Sequence, residues 1–401
     1  MATIASGLLK TTAWKKQSGL GVPSTGASGK TARRVTSIMQ APRDMFESNE
    51  INTHHQSTGA SYGLQKAEGK IDGLLSAGTF ADFMASILEK DFASGVIIAA
   101  QTLTYGGSAN AWTMTGTGFL TGAGLKIGDV VRASGGSVSA NNARNFLITA
   151  LSNTVVTFRA LDQATVTAGS STTTVVTVHN KKTNAPVSGH TKDYYTIEEW
   201  YSDLAKSETF TDMRVGAIAV GLPATGNATV SIDFVGLART LGGSQILTSP
   251  TTTTTAIMSA VNGFIAVNGT AQTIATGINF TISNSAANAG AVIGSNVGND
   301  VTTGRIMVSG TLTAQFDSTT LQALYDAETN IAINVVLTGD NTATSDFVSF
   351  TLPRVKLTGD APDDGEKAII RSYPFTAEYY AAGGSGVAYD QTILSVQDSA
   401  A

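Results

Sequence analysis

No cysteine occurs in the 401 residues, which excludes disulfides, cysteine-ligated zinc and a cysteine nucleophile together. Charged residues are sparse at 14% and aromatics at 7%. No apolar run approaches the roughly 20 residues that a membrane helix needs, the longest candidate being GVIIAA at 95–100. The stretch MATIASGLLKTTAWKK lacks the apolar centre of a secretory signal, so a soluble chain made in the cytoplasm is expected. What is present is Thr, Ser, Ala and 42 Gly, a balance that suits short strands and turns. The reading is a mainly β protein of two or three modules.

Catalytic chemistry is hard to find. STGASGKT (24–31) ends like a phosphate-binding loop but has Ser24 at the first glycine position, with no apolar strand before it and no helical pattern after it. DAPDDGEKAIIR (360–371) resembles a calcium loop only at Asp364 and Gly365; Pro362 sits at the third position and Arg371 replaces the bidentate Glu. His54 and His55 are adjacent and would point to opposite faces of a strand, while His179 and His190 have no carboxylate at ligand spacing. Glu198 and Glu199 in YYTIEEWYSD read as an exposed strand edge with Tyr195, Ile197 and Tyr201 inward. GTGFLTG (116–122) lacks the following helix of a dinucleotide site. No enzyme, metal or cofactor is expected.

Charge is polarised along the chain. Residues 1–43 carry Lys10, Lys15, Lys16, Lys30, Arg33, Arg34 and Arg43 with no acid, around the flexible SGLGVPSTGASG; the remainder holds 18 basic and 30 acidic residues, a net of −12 against +7. Residues 1–43 are therefore read as an extended basic arm. GKIDGLLSAGTFADFMASIL from Gly69 predicts a strand (Ile71, Gly73, Leu75) running into a helix (Phe80, Phe83, Met84, Ile87, Leu88) capped by Thr79. GTLTAQFDSTTLQALYD from Gly310 repeats the pattern at an offset of 241. MRVGAIAVGLPATGNATVSIDFVGL (213–237) predicts a hairpin turning at Pro223, Gly226 and Asn227, with Val230, Ile232 and Phe234 buried. Its Val230, Ser231, Ile232 and Phe234 align with Val348, Ser349, Phe350 and Leu352 at an offset of 118, leaving 123 extra residues in the first half. The expected layout is an arm (1–43), a first unit (44–95 and 191–240), an inserted β domain (96–190) with a small barrel, and a second unit (241–401).

The order of parts resembles the major tail tube proteins of long-tailed, siphovirus-type bacteriophages. FESNEINTHHQSTGASYGLQKAEGKIDGLLSAGTFADFMASIL (46–88) is similar to that family's entry into its first sheet and helix, and YYTIEEWYSD with the 213–237 segment to its long hairpin. GINFTISNSAANAG (277–290) is similar to the start of a second half, and VSFTLPRVKLTGDAP with YPFTAEYY to closing strands. The resemblance implies duplicated β-sandwich/barrel units with flanking helices, joined between subunits into a continuous inner barrel. It implies a structural virion protein, assembled in the host cytoplasm, that polymerises as stacked rings into a conduit for DNA ejection. Implied partners are further copies of the chain, tail terminator and tail tip proteins, and double-stranded DNA passing without specific binding, with no membrane. Two units per chain give a trimeric ring with a pseudo-sixfold inner barrel; a hexamer with one half outside is the alternative. The lumen should be neutral to acidic, the inserted domain external, and Lys10, Lys15, Lys16, Lys30, Arg33 and Arg34 should bind the acidic body of a neighbouring copy. A secreted adhesin or carbohydrate-binding β protein would share the composition.

Overall fold

The computed structural model describes residues 4–54, 56–108, 111–122, 124–363 and 366–401. The first half supplies β1 (Lys10–Lys16), β2 (Lys30–Thr31), β3 (Arg34–Gln40), β4 (Arg43–Glu47), β5 (Ala60–Gln65) and β6 (Ala67–Leu74), then α1 (Ala81–Ile87). After β7 (Ala93–Ser94) come β8 (Ile97–Ser108), β9 (Ala111–Thr115), β10 (Val130–Ser134), β11 (Asn145–Leu151), β12 (Val155–Ala160) and β13 (Gly169–Val178), followed by β14 (Lys181–Asn184). The half closes with β15 (Tyr195–Tyr201), β16 (Lys206–Leu222), β17 (Thr229–Gly236) and β18 (Ala238–Gly242). The second half runs β19 (Gly263–Val267), β20 (Thr270–Ala271), β21 (Ala275–Ser283), β22 (Ala287–Asn288), β23 (Val301–Thr302) and β24 (Met307–Gln315). It continues with α2 (Thr320–Asp326), β25 (Ile331–Thr338), β26 (Phe347–Leu357), β27 (Ala361–Pro362), β28 (Ile370–Ala377) and β29 (Ser395–Asp398).

One ladder occurs twice. In the first half Ser37, Ile38 and Met39 of β3 face Ile71, Lys70 and Gly69 of β6; in the second, Ile278, Asn279 and Phe280 face Leu312, Thr311 and Gly310, each 241 residues on. Even the irregularity between Arg34 and Thr36 recurs between Ala275 and Gly277. Ala67 opposite Gly236 and Leu74 opposite Thr229 recur as Val308 opposite Ala377 and Gln315 opposite Ile370. Tyr201 opposite Lys206 and Tyr195 opposite Met213 recur as Leu337 opposite Val348 and Ile331 opposite Val355. Trp14 opposite Ile197 recurs as Val267 opposite Ile333, and Glu208 opposite Leu241 as Phe350 opposite Val396.

These pairings correct two sequence expectations. The offset of 118 matched β17 to β26, yet β17 lies between β6 and β16 whereas β26 pairs with β25, β28 and β29, so the counterpart of β17 is β28. Four alternating residues fit any half-buried strand, and periodicity does not identify neighbours. The first half accordingly holds 107 residues between α1 and β15 (88–194) against four between α2 and β25 (327–330). The second correction concerns residues 1–43. The described part of that segment, 4–43, is not an extended arm but carries strands of the chain's own sheets: β1 pairs with β15, and β3 with β6. Trp14 anchors this segment, buried against Phe83 with ring centroids 4.6 Å apart and its indole N–H donated to Asp82.

Alternation in β6 and β17 places Ile71, Val230, Ile232 and Phe234 in one core with Phe83 and Ile87 of α1. Across the wall, Ile71, Ile232, Ile218, Ile282 and Val308 lie side by side on consecutive strands, each fully buried. Each such side chain contributes ~1.5–3 kcal/mol. Gly69 and Gly310 hold equivalent places under large side chains, where an added Cβ would collide with Met39 Sδ and with the Phe375 ring. Thr79 does not cap α1; its hydroxyl bonds to Ser76 and Thr253, and Phe80 occupies the cap position.

Strands β8–β13 close a barrel in the order β10-β11-β12-β9-β8-β13. It is filled, not hollow: Leu103, Met114, Phe146, Ile148, Phe158 and Val176 are completely buried inside it. Its Val130, Leu147 and Leu161 pack on Val336 and Phe347 of β25 and β26, on the face opposite Val335 and Phe350 of the main core. Gln397 clamps the joint, accepting from Val130 N–H and donating to the carbonyls of Val130 and His179. Lys182 bridges Asp129 of the barrel and Asp390.

Candidate assembly surface: a polar sheet face between two edges

Because β16 bends at Asp212 (φ 56°), its N-terminal half pairs with β15 and β18 while its C-terminal half pairs with β17 and β21. The C-terminal pairing joins the two halves edge to edge: Ile218, Val220 and Leu222 face Ile282, Phe280 and Ile278. The result is one sheet ordered β3-β6-β17-β16-β21-β24-β28, continued by β27 and the end of β26.

One face of this sheet is core; the other is small and polar. A row across seven strands reads Thr36, Asp72, Ser231, Ala219, Thr281, Ser309 and Thr376. The charges on this face within β6 and β17 are Glu68, Lys70, Asp72 and Asp233, three acids to one base. Lys70 stands 3.6 Å from Asp72 and opposite Asp233. Partial burial works against ionisation of Asp72, but hydrogen bonds from Ser231 and Thr36 and the charge of Lys70 hold its carboxyl below the usual range. This part of the face therefore carries net negative charge at neutral pH, with Lys356 opposite Thr376 as a base at the far end. Sequence reading found the alternation in β6 and β17 but not this row, whose signal is small polar residues at every second position of strands far apart in the chain.

The sheet ends in two edges. Among the described residues β3 has only β6 as a ladder partner and β27 only β28. Hairpins β4–β5 and β22–β23 follow β3 and β21, which run in the same direction, so both leave the same end of the sheet. Met45, Phe46, Tyr62 and Ile293 are exposed there, and Phe46, Tyr62, Asn288 and Asn296 line a groove of about 720 Å³ between the two loops.

The six basic side chains expected to reach a neighbour are all engaged within their own chain. Lys10 pairs with Glu199 at 2.6 Å and donates to the Ser37 carbonyl; Lys15 donates to the carbonyls of Thr25 and Ala27. Lys16 bridges Asp91 and Asp193, whose acceptors outweigh its burial and raise its pKa. Lys30 pairs with Asp82, Arg33 donates to Ser76 and the Thr255 carbonyl, and Arg34 to the carbonyls of Gly7 and Lys10. Lys10, Lys16, Lys30 and Arg33 thereby tie the segment to the rest of the chain, while Lys15 and Arg34 bond within it.

Glu198 and Glu199 are not at an exposed edge, because β1 and β16 flank β15 on both sides. Both are buried; Glu198 accepts from Ser207 and the N–H groups of Ile246 and Leu247, Glu199 from Ser37. His190 does have a carboxylate in space, Glu89 at 3.1 Å, which sequence spacing could not disclose. His55, Asp364 and Gly365 lie outside the described residues. Among the described residues no group of three metal-ligating side chains converges.

The sequence profile described as phage tail tube protein matches residues 7–377. The chain belongs to the phage tail tube protein family. No curated protein matches it significantly. As a tail tube family member it is a structural protein of the bacteriophage tail, and its place is the virion. No described helix is long and apolar enough to cross a membrane.

Proposed function

We propose that the chain forms closed rings that stack into the tail tube and conduct DNA during ejection, each chain contributing two wall units. The observation that carries this reading is the single sheet running through both halves, polar on one face and ending in two edges. Closing such a sheet on itself removes its edges. Each chain supplies eight wall strands, counting the end of β26 with β27 as one. Twenty-four strands at about 4.8 Å spacing give a backbone circle at least ~37 Å across, whereas sixteen give only ~24 Å, too narrow for a duplex once side chains are added. Three copies are therefore the fewest that admit the duplex, and with two wall units each they give a sixfold inner wall.

A face of Ser, Thr and Ala with excess carboxylate suits a lumen, because phosphates lining up with lysines would grip the passing duplex. The barrel packs on the far side of the core from that face, which supports an external position. Hairpins β4–β5 and β22–β23, with their exposed Phe46 and Tyr62, are the surface for ring stacking and for terminator or tip proteins at the tube ends. Electron microscopy of purified protein tests the reading: end-on views should show threefold symmetry with a sixfold inner wall. Six chains per ring, counted by native mass spectrometry, would overturn the trimer.

A further inference from the structure

We propose that neighbouring copies join through one specific ladder, residues 359–363 of one chain pairing antiparallel with residues 38–42 of the next. This rests on the ring reading above and identifies its joint. The template lies inside the molecule. Where the halves meet, Ala217 faces Ser283, Ile218 faces Ile282, Ala219 faces Thr281, Val220 faces Phe280 and Gly221 faces Asn279. The second-half counterparts of β16 residues 219 and 220 are Ala361 and Pro362, which face Ser372 and Arg371 as Ala219 and Val220 face Ser231 and Val230. The first-half counterpart of β21 is β3, 241 residues earlier. Carried across, the template sets Gly359 opposite Pro42, Asp360 opposite Ala41, Ala361 opposite Gln40, Pro362 opposite Met39 and Asp363 opposite Ile38.

Backbone directions provide an independent check. Lys66 N–H donates to the Pro42 carbonyl, so even-numbered residues of this ladder turn toward β6 and Met39 and Ala41 turn outward. Asp363 N–H donates to the Ile370 carbonyl, so Asp360 and Pro362 turn outward. The transferred register brings those outward residues opposite each other. Lys10 already occupies the outward carbonyl of Ser37, which ends the ladder at that point.

Charge and chemistry agree with the pairing. Residues 360–366 carry four acids and no base, while the facing residues 35–42 carry no acid and are followed by Arg43. Val35 and Ile38 on β3 are 61% and 65% exposed, unusual for an edge that stays in water. Pro362 turns its nitrogen to the open side and lacks the hydrogen that Val220 has at the internal joint. The joint between chains is thus built one hydrogen bond weaker than the joint within them, and it resists premature pairing.

The absence of native cysteine makes crosslinking clean. Gln40 and Ala361 are both exposed and would form a non-hydrogen-bonded pair, whose Cα separation of about 4.5 Å lies within disulfide range. Chains carrying Gln40→Cys and chains carrying Ala361→Cys should give a disulfide dimer only when mixed and assembled, and the doubly substituted chain should give covalent trimers. Thr36→Cys with Ala361→Cys, four residues out of register, should give neither. Rings visible by microscopy without the Gln40–Ala361 crosslink, or with an equally strong Thr36–Ala361 crosslink, would overturn the joint and leave the ring standing. Protein that forms no rings would overturn the ring reading and the joint with it.

Discussion

Strands β15 and β25 hold the same place in the two ladders, with Ile197 and Ile333 inward, yet their outer faces differ in chemistry. Thr196, Glu198 and Trp200 of β15 correspond to Ala332, Asn334 and Val336 of β25. The difference follows what covers them. Over β15 lie irregular segments whose N–H groups need acceptors, and Glu198 takes Ile246 and Leu247 while Thr196 takes Ser24. Over β25 lies the folded barrel, which presents Val130, Leu147 and Leu161, while the open backbone groups of Val130 are taken up by Gln397 of β29. A loop demands a polar partner; a closed domain accepts an apolar one.

The largest break in this comparison should come from Lys182→Met. Asp129 is fully buried, and its burial already pushes its carboxyl up, with Lys182 holding it down and Asp390 adding to the rise. Without the ammonium, a buried carboxylate is left uncompensated, for a loss of about 3–5 kcal/mol. Because the orphaned acid prefers its proton, the loss should be smaller at pH 5 than at pH 7.5 in urea unfolding; an equal loss at both would show that the charge is not what matters.

Phe347→Ala tests the apolar cover. It removes a side chain buried between β26 and the barrel and should cost about 3–5 kcal/mol. Trp200→Ala, which removes a half-buried side chain from the outer face of β15, should cost clearly less despite the larger ring. Equal losses in calorimetry would mean that loop and barrel cover their strands alike.

A third effect belongs to the second half. Asp398 of β29 accepts from the N–H groups of Gly78 and Ala400. Burial pushes its carboxyl up to about 6, against the opposing pull of those N–H groups. Its folded pKa is above the unfolded value near ~3.9, so the folded chain binds the extra proton between these values. Stability should fall by at most about 3 kcal/mol as pH rises from ~4 to ~6 and then level off. Asp398→Asn should flatten that part of the profile; an unchanged slope would assign it to another group.

Much of the fold was legible. The hairpin at 213–237 reads directly, because Val230, Ile232 and Phe234 are buried while Thr229 and Asp233 are exposed. The strand and helix from Gly69 read nearly as well, the cap at Thr79 excepted. Residues 1–43 misled, since glycine and basic residues suggest a linker and a single Trp14 inside β1 shows no period. The polar row and the edges were illegible, because their members come from strands as distant as Thr36 and Thr376.

By itself the sequence determined the β class, the buried faces of alternating strands such as β6 and β17, and the scarcity of reactive groups, all properties of composition and of a two-residue period. Only the tertiary structure decided which strands are neighbours. It assigned β28 as the counterpart of β17, folded β1 onto β15, buried Glu198 and Glu199 and joined β16 to β21. The physical reason is that alternation records only which side of a strand meets water. Hydrogen bonding along its edges uses backbone groups that every residue shares, so the choice of partner rests on packing among residues hundreds of positions apart.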